Sequence, residues 1–343
     1  MAAEATVNVR RGLELLRPHP HRGDLIAAGA VPLTLAVVLL NVRMDGTWGD
    51  GIHLVITALA CALVLGMGLL AEREEERPRA YQTVLLLAGL TLLAIALLRL
   101  AQVLGVDEPL SSSGTLTWMT LIFAAVAAVP AWGPIGSPIC ALLELLAGGL
   151  FLLAFVDWVF SPEGPTTARW ILLAIVVAYA AGHVYWRDRR RRHAVHFVNA
   201  AGVAAVALGL TFLADLFGAA VAGAFGGETV AGDPGTWWEL VLLAAGLGLA
   251  AYAAVDREPG PGHLAFVVLA LFVALGGLPG AGGASIVGWP LLLLLLGAAA
   301  LAAGLRPLAP LPPSPDAGRG AAPTEPLPGR RGEPPAGPGA ARE

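Results

Sequence analysis

The chain contains no lysine: all 21 of its basic Lys-plus-Arg positions are arginines. That absence excludes a retinal Schiff base, a pyridoxal aldimine and a P-loop, each of which needs a lysine amine. Charge of either sign is scarce, at 13% of residues, against about 25% in an average soluble protein. With 57% hydrophobic residues, such a chain is not a water-soluble globule. There are only two cysteines, Cys61 and Cys140, both inside apolar runs, which argues against a disulfide framework. No HExxH, CxxC, nucleophile elbow or Gly-rich phosphate loop occurs. The residues therefore indicate no cofactor and set an enzyme or haem carrier behind the non-enzymatic readings. No basic surface suited to nucleic acid is present either, since the run Arg187 to Arg192 reads as a topology signal.

What the chain has instead is long apolar runs near the length that a bilayer demands, about ten of them. They are Leu25–Val42, Ile52–Ala71, Tyr81–Val103, Thr115–Trp132, Gly136–Val156, Trp170–Trp186, His196–Ala214, Trp237–Val255, His263–Leu278 and Ile286–Leu305. The expected fold class is all-α, a polytopic transmembrane helix bundle. Residues 1–24 form a polar segment before it, in which Val9–Arg17 is expected to make a short interfacial helix. Residues 306–343 form a Pro/Gly/Arg-rich tail expected to be disordered. Pro307, Pro310 and Pro313 recur there at polyproline spacing, which by itself marks only a biased tail.

The arginines alternate between gaps. Eighteen fall in the first segment, every second gap and the tail; only Arg43 and Arg169 fall in the other gaps, and Arg99 lies within a run. By the positive-inside rule this places both termini in the cytoplasm. Lysine-free, Ala/Gly/Leu/Pro-rich usage matches a GC-rich bacterial genome, so the expected location is a bacterial inner membrane. Tryptophans near the ends of the runs, Trp132, Trp170, Trp186 and Trp237 among them, fit headgroup anchors.

Few polar residues could carry chemistry. Glu144 is the deepest carboxylate, about mid-span, where an ionisable group costs ~2.5–3.5 kcal/mol on insertion scales. Cys140, Glu144 and Gly148 share a helical face, as do His53, Thr57 and Cys61 on the second span. If those faces meet, they form a polar track for a proton or cation; the simpler reading is that Glu144 is interhelical glue. Arg99, Asp157, Asp215 and Glu239 all fall toward the outer ends of their spans, where an acidic vestibule would attract cations. The simpler reading is that each snorkels or pairs locally. His183, His193 and His196 crowd one hairpin, but its arginines disfavour a metal. Small residues at Ala201, Ala205 and Gly209, at Ala244 and Gly248, and at Ala300 and Gly304 predict close helix contacts.

Two function classes follow. One is a transporter or permease for a small solute or cation, since ten spans divide into two oppositely oriented sets of five. The other is a non-transporting scaffold, assembly partner or sensor, with the lipid bilayer and a membrane-protein partner or second copy as its contacts.

Overall fold

The computed structural model describes residues 23–71, 80–224 and 235–276, with the side chains of 219–224 excepted. The expected interfacial helix at Val9–Arg17, the tenth span at Ile286–Leu305 and the tail from 306 lie outside the described residues.

Nine helices run through them: α1 (Gly23–Arg43), α2 (Asp50–Leu70), α3 (Ala80–Val103), α4 (Ser113–Trp132), α5 (Pro138–Phe160), α6 (Thr166–Trp186), α7 (Arg191–Ala224), α8 (Thr236–Asp256) and α9 (Pro259–Gly276). No strand occurs among the described residues. Eight of these helices are long and apolar enough to cross a bilayer, and α9 is a shorter apolar helix. They coincide with the first nine apolar runs. The largest difference is α7, which begins at Arg191 and spans 34 residues, because Arg191 to His193 continue the helix and no proline or capping signal stops it.

Local signals set the ends. Ser112 caps α4, its hydroxyl accepting from the Thr115 N–H at 3.4 Å. Pro138 occupies the first turn of α5, where a missing N–H costs nothing. Between them, the tight turn needs Gly136 at φ +62°, and the Ser137 N–H reaches back to Pro130 O at 2.9 Å.

Successive helices are antiparallel, as their cross-contacts show. Gln82 at the start of α3 bonds Gly68 O near the end of α2 at 3.2 Å. A Cβ on Gly114 of α4 would touch Trp158 of α5 at 3.0 Å, and one on Gly182 of α6 would meet the Phe197 ring of α7 at 2.5 Å. One end of the bundle thus carries Leu70, Trp132, Trp186, Arg191 and Asp256, called here the Arg191 end. The other carries Asp45, Asp50, Val103, Ser113 and Thr166, called the Asp45 end.

Apolar burial between helices gains little in lipid, so contact depends on close approach. On α3, Gly89 sits against the Leu65 backbone of α2, where a Cβ would lie 2.8 Å from Leu65 Cα. Ala201, Ala205 and Gly209 of α7 do face neighbours, with a Cβ on Gly209 meeting Leu271 at 2.8 Å. Ala244 and Gly248 do not: both face outward, and the close contact on α8 is made by Gly246 against Leu269 of α9, at 2.7 Å for an added Cβ. The helix is apolar all round, so residue type could not say which small residue faced in.

Candidate functional site

Glu144 lies six residues into α5, which begins at Pro138 and has 23 residues. It is about 9 Å from the helix start at 1.5 Å per residue, nearer the Arg191 end than the mid-span depth expected. Its carboxylate accepts from the Trp132 Nε1–H at the end of α4. That indole is the centre of an aromatic box. The Trp186 ring lies 5.0 Å away, His193 5.1 Å and Phe197 6.4 Å, and the Arg190 guanidinium sits 5.8 Å over the ring. His193 donates its Nε2–H to Ala131 O at 2.9 Å, and the Tyr179 hydroxyl of α6 donates to Leu145 O. Helices α4, α5, α6 and α7 are joined here through one carboxylate and two backbone carbonyls.

Cys140, one turn before Glu144, is fully buried against Leu86, Leu90, Ala127 and Ala131 of α3 and α4. Gly148, one turn beyond Glu144, faces open space.

The other half of the expected track turns elsewhere. His53 and Thr57 of α2 are buried at 1% and 0% exposure. His53 donates from Nε2 to Met44 O at 3.3 Å, and Thr57 Oγ1 accepts from Asn41 Nδ2 at 3.0 Å. Cys61 donates its thiol to Gly89 O on α3 at 3.5 Å and packs in the cluster formed by α1, α2 and α3. The structure therefore joins His53 to the α1–α2 loop, Thr57 to α1 and Cys61 to α3. It joins Cys140 to α3 and α4, and Glu144 to α4. Helices α2 and α5 do not pack face to face; α2 packs chiefly on α3 and α5 chiefly on α4. Both cysteines are free.

Arg99, Asp157, Asp215 and Glu239 do sit toward the Asp45 end, where Arg99 and Asp215 are held in separate ion pairs. Arg99, its side chain 11% exposed, is clamped between α1 and the α1–α2 loop. Its Nε donates to Asn41 Oδ1 at 2.9 Å and its Nη2 to Asn41 O at 2.8 Å. Its Nη1 donates to Asp45 Oδ1 and to Gln102 Oε1, both at 2.9 Å, with Asp50 at 3.5 Å. Asp215 instead pairs with Arg169, which also donates to Thr211 Oγ1 at 3.2 Å and lies 3.8 Å over the Phe212 ring. Asp157 is exposed, and Glu239 is buried at 3% near the start of α8. Sequence reasoning missed the two arginine clamps. A usable signal was present in Asp45 and Asp50, acids flanking the loop on the side where Arg99 ends its span.

The three histidines are engaged separately. His183 donates from Nδ1 to Ala194 O at 3.0 Å and meets the Tyr252 ring edge-on at 5.0 Å, while His193 belongs to the Trp132 box. His196 has a buried Nδ1 with no partner among the described residues.

Two clefts open beside these groups. One, of about 510 Å³, lies between the Asp45-end halves of α1 and α3 under the segment 108–111. The other, of about 230 Å³, is apolar and lies between α5, α6 and α7 beside Tyr179. Comparison of the chain with protein-family models, with curated proteins and with solved structures gives no match.

Proposed function

We propose that this chain is a non-transporting component of a bacterial inner membrane, a sensor or assembly partner with both termini cytoplasmic, working beside another membrane protein or a second copy of itself. The observation that carries this reading is the use of Glu144. Its carboxylate is held by the Trp132 indole within an aromatic box that ties α4 to α7, which is the behaviour of interhelical glue. A permease for a small solute or cation calls for a wetted route linking the His53–Thr57–Cys61 face to Glu144. Those groups are instead divided among separate contacts, Thr57 with Asn41 of α1, Cys61 with Gly89 of α3 and Glu144 with Trp132 of α4.

The test is chemical. In a variant with Cys61 and Cys140 replaced by alanine, Glu144→Cys in proteoliposomes is exposed to a membrane-impermeant maleimide from each side. The reading expects no labelling while the membrane is intact, because a thiol there faces protein and lipid. Rapid labelling from either side sinks it and restores the permease. Orientation is read with reporter fusions at Ser112 and at Arg189: the first is expected outside and the second in the cytoplasm.

A further inference from the structure

We propose that the cleft between α1 and α3 at the Asp45 end binds amphiphilic cations, meaning a primary or quaternary ammonium on an aliphatic chain. The cleft's volume, about 510 Å³, is within the ~300–1,000 Å³ of small-ligand sites. Its walls are split by chemistry. Val38, Val42, Ile95 and Leu98 line it from α1 and α3, and exposed Glu108 lines it from the segment that follows α3. That layout fits an aliphatic chain laid along the helices with its head at the membrane surface.

The sign of the head follows from the charges. Arg99 lines the cleft but is already committed: its bonds to Asn41, Asp45 and Gln102 use four of its five N–H groups. Asp45 and Asp50 both lie within 3.5 Å of its guanidinium, so an approaching anion meets two carboxylates beside the one cation. Glu108 adds negative charge to the lining, with Asp107 next to it. Its Oε2 accepts from the Ser111 hydroxyl at 3.2 Å, and none of the described bonds reaches its Oε1. Of the two charged residues that line the cleft, Arg99 is offset by Asp45 and Asp50 at its guanidinium, which leaves Glu108 as the acid in excess. A cleft with an acid excess and low-dielectric walls concentrates cations.

The proposal rests on the membrane placement of the bundle and not on whether the protein transports, so the Glu144 labelling and the binding experiment fail independently. Full-length protein in nanodiscs of an uncharged glycosyl-diacylglycerol lipid, which carries no ammonium, is titrated with radiolabelled dodecylammonium, with empty nanodiscs as the partition control and dodecyl phosphate as the matched anion. Saturable dodecylammonium binding above the control, not displaced by dodecyl phosphate, is expected. Glu108→Gln should weaken it by up to about fivefold, the upper range for a solvent-facing ion pair. Glu108→Arg should turn the preference toward dodecyl phosphate. Ile95→Trp should block the chain and abolish binding; should that variant fail to fold, the two Glu108 variants at the surface still decide. Uptake equal to empty nanodiscs overturns the proposal. So does equal competition by dodecyl phosphate, or unchanged affinity in folded Glu108→Gln.

Discussion

At the Asp45 end, two of the three helix arginines are nearly buried, Arg99 at 11% and Arg169 at 12% exposure, and each is clamped by an acid from another segment, while Arg43 at the last position of α1 is exposed. Arg99 holds the α1 terminus through Asn41 and the following loop through Asp45; Arg169 ties α6 to α7 through Thr211 and Asp215. At the Arg191 end the arginines are many and loosely held. Arg191 is 77% exposed and reaches Asp256 at 3.2 Å, and Arg189 lies 4.1 Å over the Tyr185 ring. The same residue type serves two purposes. On one side it is a positive surface facing headgroups and water. On the other, scarce arginines sit among apolar helices, where an unpaired charge is costly, and adjoining carboxylates offset that cost. The pairing that makes them tolerable also fixes helix positions.

Breaking the Arg99 clamp should have the largest effect. Arg99→Leu leaves the buried Asn41 side chain without its guanidinium partner and Asp45 and Asp50 beside one another. The expected loss is about 2–3 kcal/mol, the range for hydrogen bonds to a charged group with a buried partner orphaned. Arg99→Lys should recover only part of this, because an ammonium cannot present the planar fork that reaches Asn41, Asp45 and Gln102 together. Thermal unfolding in detergent, read by tryptophan fluorescence, gives the order wild type, Lys, Leu. If Leu melts with wild type, the clamp holds nothing. Arg169→Leu sharpens the comparison at the same end. Asp215 is 47% exposed and can be solvated, so the expected loss is smaller, about 1–2 kcal/mol including the stacking on Phe212.

The Glu144 contact should rank next. Glu144→Leu removes the acceptor for Trp132 Nε1–H and should cost about 1 kcal/mol, the scale of interhelical hydrogen bonds in membranes. Glu144→Gln keeps a carbonyl acceptor at the same place and should leave the melting temperature almost unchanged. A large loss with Gln would mean that the negative charge matters, through the nearby Arg190 for instance, and would move this end of the bundle toward the ionic behaviour of the other.

The helices themselves were legible in the sequence, because a bilayer imposes span length and apolar composition on every crossing segment. Nine apolar runs became nine helices, and even the short span ending at Trp132 is there. What was not legible is rotation about each axis. The i, i+4 spacing sets His53 and Thr57 on one face of α2, yet nothing in a helix apolar all round says whether that face meets α1, α3 or α5. The same ambiguity exchanges Gly246 for Gly248 on α8 and pairs Asp215 with Arg169, which in the sequence counts only as a topology charge. Partner choice depends on packing across helices far apart in the chain, and composition carries no trace of it.

The smallest expected effect is at the Arg191 end itself. The Arg191–Asp256 pair joins the start of α7 to the end of α8 at 3.2 Å, with Asp256 19% exposed but Arg191 77% exposed, so its cation stands in solvent. Exposed pairs of this kind contribute about 0.2–1 kcal/mol. Salt at about 1 M, where the screening length falls to ~3 Å, should remove most of that. Arg191→Gln should therefore lower the melting temperature slightly at low salt and match wild type at high salt. Arg99→Leu should show nearly the same deficit at both, because its guanidinium is shielded from mobile ions. If the two variants share one salt dependence, the arginines at the two ends are held alike, and the distinction between a solvated surface and a buried clamp fails.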